Sequence, residues 1–300
     1  MKSLFIMTVL TSLLCISMLA SGVHAVNISS KDADSQIIYL NPVTGNDNWD
    51  GTDPTWQTGI TGPKKTIKSA LEFINENGVL FLCPGIYYEH DLTIENSVKF
   101  RGDNATIIDS YPEGALIWIS NGHKVSFTGI NFEISDSTVH SSILFNSHST
   151  VLLDNCTFKG NNNGCAVNNW RGNLHVLNCQ FSEFNTAIKS GTGTVHLKIC
   201  EFRNNNAKSN GGAIDSYGGP LFINNCNFAN NSAYKNGGAI YIKKGDLRVK
   251  NSFFSYNIAG IIDKDGHGGA IHIENCQLVN SLNIFTKNYN GKGAIEHIYS

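Results

Sequence analysis

Charge is what this 300-residue chain has least of: 22 basic and 24 acidic residues make it 15% charged, against about 25% in an average globular domain. The formal net charge of -2 shows none of the basic surplus that nucleic-acid binders carry. Proline is scarce at six and segments of helical periodicity are few, which argues against a helical architecture. Cysteine is present without forming a framework. Of the eight, Cys15 falls in the N-terminal apolar run, and the odd number left does not read as a complete disulfide set. Beyond Ala25 no apolar run approaches the roughly 20 residues a membrane-spanning helix needs. Glycine, at 29 residues, and the still more numerous asparagine take the place of charge. Both tolerate left-handed backbone, so the chain should turn often. With 41% hydrophobic residues it still buries a core, which excludes wholesale disorder.

The N-terminus reads as a secretory signal peptide, residues 1–25. Lys2 precedes the apolar run Leu4–Ala20, and Val23-His24-Ala25 offers the small residues a signal peptidase reads, with cleavage after Ala25. An uncleaved anchor would need a longer run, and a lipoprotein reading through Cys15 fails at Leu14. The mature chain from Val26 is therefore expected to be secreted or at the cell surface. Residues 26–78 read as an N-terminal strand, loop and capping helix, and 79–300 as repeats.

The repeats decide the fold. Val151–Phe158, Leu174–Phe181, Val195–Phe202, Leu221–Phe228 and Leu247–Phe254 align with one another, and most share Cys two residues before the final Phe. A second element follows: Gly211-Gly-Ala-Ile214, Gly237-Gly-Ala-Ile240, Gly268-Gly-Ala-Ile271 and Gly293-Ala-Ile295. Short strands recurring every 20–30 residues mean a solenoid. Apolar residues alternate within each copy, as in a half-buried strand. Leucine-rich repeats lack a matching consensus here, and propeller blades are longer than this period. The expected fold is all-β, a right-handed parallel β-helix with a short N-terminal capping helix.

Between the two strands of each copy the alternation breaks at Asn155, Asn178, Asn225, Asn251 and, by one register, Asn275, with Ile199 the exception. An asparagine there suits a left-handed corner, and stacked coils are expected to align these amides into an internal hydrogen-bonded ladder. Cys156, Cys179, Cys200 and Cys226 should stack likewise as buried packing residues. Parallel coils about 4.8 Å apart hold their Cβ atoms wider than a disulfide prefers. In the last copies Leu278–Phe285 is preferred as the partner of Leu247–Phe254, over the alternative through Ile273–Cys276. Apolar residues at 67, 70, 71 and 74 predict an amphipathic helix over Lys64–Asn75 that caps the open end. The sequence stops in mid-repeat after Gly293-Ala-Ile295, as a partner-capped coil or a truncation would.

Phe202-Arg-Asn-Asn205, Phe228-Ala-Asn-Asn231, Phe254-Ser-Tyr-Asn257 and Phe285-Thr-Lys-Asn288, each with Gly-Gly-Ala-Ile or a near copy behind it, resemble the repeats of chlamydial polymorphic outer-membrane proteins. Asn41–Thr52, Gly62–Ile67 and Pro84–Tyr87 look more like adhesin-like surface proteins of methanogenic archaea. Over residues 37–300 this resemblance implies a pectin-lyase-like β-helix and an adhesive role. It implies no activity, since the fold hosts enzymes and binders alike.

Candidate site residues follow from the repeat. Outward positions after each Ala-Ile pair are Asn168, Lys189, Asp215, Tyr241, His272 and Glu296. Of these Lys189, Asp215, Tyr241, His272 and Glu296 form the expected binding face. On the cysteine strand Asp154, His175, His196, Lys198, Arg248 and Lys250 point outward, with signs mixed. His175 and His196 would stack, but a metal site wants a third ligand. If the chain were a polysaccharide lyase or glycoside hydrolase, Asp215, Asp263, Asp265 and His267 would be the residues to suspect. Gly266-His-Gly268 superficially matches a polygalacturonase motif, though its companion acids are missing. Asp47, Asp50 and Asp53 offer oxygen ligands for calcium at a spacing that fits no defined loop, so a plain turn is the stronger reading. Asn27, Asn104 and Asn230 are available glycosylation sequons, and Asn155 is set aside as internal. The expected function is a non-catalytic, adhesin-like protein that binds extracellular polysaccharide or cell-surface polymer. No nucleic acid, resident cofactor or metal is expected.

Overall fold

A computed structural model describes residues 35–109, 114–135, 142–262, 266–289 and 293–298, with the side chains of 296–298 left out. The expected signal peptide, Asn27, Asp263 and Asp265 lie outside the described residues. The folded unit begins at Gln36. Among the described residues strands fall into sheets of seventeen, nine and three, and every named strand pairs in parallel with its neighbour one coil away. This is a parallel β-helix. No helix among the described residues is long and apolar enough to cross a membrane.

One coil shows how the repeat closes. Leu221–Asn224 runs to the corner Asn225-Cys226, where Asn225 takes a φ of 54°. Asn227–Ala229 leads away, and after the short strand Ser232–Ala233 a turn at Gly237-Gly238 enters Ile240–Lys243. Leu247 then pairs with Leu221 one coil back. The two glycines have separate reasons. Gly237 sits at a φ of +65°, and a Cβ on Gly238 would lie 2.1 Å from the carbonyl oxygen of Gly269 in the next coil. The seventeen strands are two such ladders, and Val98–Asp109 and Lys124–Ile134 are long enough to run through both. In the last coil Leu247 pairs with Leu278 and Phe254 with Phe285, the preferred register.

The interior is built in columns. Phe132, Phe158, Phe181, Phe202, Phe228, Phe254 and Phe285 stack ring on ring, the centroids 4.7 to 4.9 Å apart. Such aromatic pairs add about 0.5–1.5 kcal/mol each beyond simple burial. Cys156, Cys179, Cys200 and Cys226 form the expected buried column of free thiols. The backbone N–H of Cys156 donates to the sulfur of Cys179, and that of Cys200 to the sulfur of Cys226, each at 3.4 Å.

The asparagine ladder is internal, but it is made by different residues from those expected. Asn155, Asn178, Asn225 and Asn251 are left-handed corners whose side chains are exposed, with Nδ2 of Asn178 donating to Oδ1 of Asn155 at 3.2 Å on the outside of the coil. The buried ladder is Asn205, Asn231 and Asn257, ending on Asn288. Nδ2 of each donates to the next Oδ1 at 2.8 to 3.0 Å and to a phenylalanine carbonyl one coil back. The same Oδ1 atoms also accept backbone N–H groups of Asn205, Asn231 and Asn257. Both ends of each amide are thereby satisfied, as burial demands. Asn275 belongs to neither row, because it turns the corner after Ile271–Glu274, in step with Lys244.

The N-terminal helix is shorter than its pattern. Only Ile67–Leu71 is helical, with Thr66 as N-cap accepting from the Ser69 N–H. The helix starts late because Lys64 is turned inward, its Nζ donating to the carbonyls of Asp47 and Trp49. Ile67, Ala70 and Ile74 are buried as their spacing requires, and the helix packs on the strands Ile37–Leu40, Gly85–Glu89 and Leu92–Ile94.

Candidate binding surfaces

On a β-helix every second strand residue points out, and parallel register turns those residues into rows along the coils. The nine-stranded sheet carries Trp118, Phe145, Asn168, Lys189, Asp215, Tyr241, His272 and Glu296 in one register row. The expected binding face is thus one continuous line of the backbone. Its members are unequally open. Lys189 and Asp215 are half-exposed, whereas Tyr241 and His272 are buried. Their rings stack on one another at 5.4 Å, and His267 leans on His272 at 5.8 Å. Tyr241 donates its hydroxyl to Glu274 at 2.8 Å, and Glu274 is ion-paired with Lys243. Burial pushes the Asp215 carboxyl up to about 6, with Lys189 opposing the shift. Glu274 is held below the usual carboxylate range by Lys243 and the Tyr241 hydroxyl.

Two residues further along the same strands lies a second row with Trp170, Tyr217, Lys243 and Glu274. Sequence reasoning missed Trp170 and Tyr217, although both sit two places beyond positions already assigned outward. The indole of Trp170 lies across Gly191, where a Cβ would come within 2.6 Å of the ring. Trp118, Trp170 and Tyr217 are each about two-fifths to one-half exposed and occur on every second coil of this sheet.

The long sheet presents a different surface. Leu152, His175, His196, Phe222, Arg248 and Val279 form one row. They line a cavity of about 560 Å³ together with Lys198, Asn224, Lys250 and Ser281 of the next row. His175, His196 and Phe222 stack at 4.9 and 4.5 Å with planes within 6°, and the Arg248 guanidinium sits 5.7 Å from the Phe222 centroid. Burial and the neighbouring His175 lower the His196 pKa.

The remaining candidates resolve into local structure. The carboxylate of Asp47 accepts from the backbone of Lys65 and Thr66, that of Asp50 from Thr52, and that of Asp53 from Thr55 and Gln57. Asp50 and Asp53 serve their own turns, and Asp47 ties its loop to the start of the helix. Among the described residues no trio of His, Cys, Asp or Glu is grouped to hold a metal ion. His267 lies in the loop that enters the Gly268–Ile271 copy. Its backbone N–H donates to Oδ1 of Asn236, and its carbonyl accepts from Gly237. Asn104 and Asn230 are exposed, and so is Asn155, because the corner faces outward rather than into the ladder.

The fold defines a class: a parallel β-helix with regular rows of outward side chains. The Chlamydia polymorphic membrane protein repeat matches residues 199–217 and 225–243. Each matched stretch runs from a corner through the stacked phenylalanine and the buried asparagine to the strand after the Gly-Gly turn. No curated protein and no solved structure gives a significant match, so the likeness found is to the chlamydial repeat and not to methanogen adhesin-like proteins.

Proposed function

We propose that the chain is an exported, adhesin-like β-helix protein that binds neutral cell-surface glycan on the face of the nine-stranded sheet. The observation that carries this reading is the spacing of Trp118, Trp170 and Tyr217, exposed on every second coil. Rings held by a rigid sheet give a repeating polymer repeated apolar contact at low entropic cost. Lys189, Asp215, Lys243 and Glu274 flank them with donors and acceptors of both signs, which suits hydroxyl groups better than a polyanion. The likeness to a membrane-protein repeat supports a place at the cell surface. Rows that hold scaffold positions fixed while outer positions vary support binding over catalysis.

Affinity electrophoresis in gels containing soluble β-glucan, mannan or galactan tests the proposal. The folded mature chain is expected to be retarded by at least one of them, and Trp170→Ala with Tyr217→Ala to abolish the retardation. Absence of retardation on all three would overturn it. So would release of new reducing ends that Asp215→Asn or His267→Ala abolishes, which would place the chain among the hydrolases.

A further inference from the structure

From the long sheet we infer a second, separate binding site: the cavity over His175, His196, Phe222 and Arg248 takes a carboxylate-bearing polysaccharide laid along the coils. The argument starts from charge. Among the described residues Lys198, Arg248 and Lys250 line the cavity and no carboxylate does, although the chain as a whole is net negative. The nearest acid on these rows, Asp154, stands beside Leu177, one coil toward the N-terminus. Three cations gathered on one face of a charge-poor protein make a local positive field that an anionic chain complements.

The rings decide which anionic chain. His175, His196 and Phe222 are stacked on each other, with Arg248 over the Phe222 ring and Leu152 beside His175 in the row, so the faces between coils are filled and the ring edges turn to solvent. Single-stranded nucleic acid is held by bases stacking on open aromatic faces, and this surface offers none. The two imidazole edges, on adjacent coils, instead offer hydrogen-bonding nitrogens that a hydroxylated backbone can use. Lys198 and Lys250 are separated by two coils, with Asn224 between them, about 10 Å at the usual strand spacing. An extended uronic-acid chain presents carboxylates on one side at alternate sugars, which matches cations on alternate coils. The planar fork of Arg248 suits a planar carboxylate, which it can bind through two hydrogen bonds.

The site shares no residue with the neutral-glycan face, so the two proposals fail separately. Titration of the mature chain with polygalacturonate at about 50 mM salt is the test, with dextran and oligo(dT) as parallel ligands. Wild type is expected to bind polygalacturonate and not dextran, and to weaken at least tenfold between about 50 and 200 mM salt. Arg248→Gln with Lys250→Gln, both exposed and away from the core, is expected to weaken binding at least tenfold. Trp170→Ala and the charge-matched control Lys65→Ala with Lys68→Ala should leave it unchanged. No binding by folded wild type, an equal loss in that control, or oligo(dT) binding as tightly per charge would each overturn the inference.

Discussion

Asn225 and Asn231 lie in the same coil, yet Asn225 turns a corner with its side chain in water while Asn231 is wholly buried. The first is there for its backbone. Few residues other than glycine tolerate a left-handed corner as well as asparagine does. The second is there for its side chain. Its amide accepts from Asn205 and donates to Asn257 and to the carbonyl of Phe202, holding three coils in register. One letter, repeated in one motif, therefore marks two unrelated requirements, and substitutions at the two positions should behave very differently.

The sharpest contrast is a buried charge. Asn231→Asp replaces the Nδ2 donor with a carboxylate oxygen that faces two acceptors, Oδ1 of Asn257 and the carbonyl of Phe202. A cost on the order of 4 kcal/mol at neutral pH is expected, read as the urea midpoint. Burial raises the pKa of the new group above its unfolded value, so the loss is smallest below about pH 4 and grows as the pH rises. Asn225→Asp should show neither the loss nor the pH dependence. A flat profile for both variants would remove the distinction between the two rows.

Asn231→Ala comes next. It strands the Asn205 amide and the Phe202 carbonyl, and at about 1–3 kcal/mol for each orphaned group a total near 3 kcal/mol is expected. Asn225→Ala should cost about 1 kcal/mol through the corner alone. Thermal denaturation of the two variants side by side gives the ratio.

Asp215 tests whether an outward position can behave like an inner one. Its carboxyl, raised to about 6 by burial, takes up a proton on folding. Wild-type stability from this group is therefore full below about pH 4 and declines as the pH rises through 6. Asp215→Asn should match wild type near pH 4 and exceed it near pH 8 by about 2 kcal/mol, a figure reduced for its partial exposure. Equal stability at both pH values would show that the carboxyl is solvated.

Much of the fold was legible because columns repeat. The phenylalanine spacing, the cysteine positions and the Gly-Gly-Ala-Ile copies each mark one place in the coil, and the parallel register follows from their alignment. The ladder was misplaced because Phe-x-x-Asn and the corner asparagine both recur once per coil, and period alone cannot say which side chain turns inward. The outward rows were readable from alternation. What alternation could not show was how far a row stays open: Tyr241 and His272 are covered by each other and by His267, contacts made between coils. The cavity on the long sheet was hidden for a related reason. His175, His196 and Arg248 were visible as outward residues, but Phe222, Leu152 and Val279 read as ordinary apolar strand positions until register placed them in the same row.

The smallest effect should come from a corner that breaks the rule of its row, as Leu282 also does with a φ of 55°. Ile199 occupies the position of Asn178 and Asn225 with a φ of 56°, although a β-branched residue is poorly suited to left-handed backbone. Half of its side chain is exposed, so little packing offsets the strain. Ile199→Asn should therefore stabilise the chain, by about 1 kcal/mol, whereas Asn225→Ile should destabilise it by a similar amount. The pair is a closed test: the same two residue types exchanged at the same place in neighbouring coils, with opposite signs expected in the thermal midpoint. If Ile199→Asn were destabilising, the corner would owe its residue to side-chain contacts after all, and the separation of backbone asparagines from side-chain asparagines would fail at that coil.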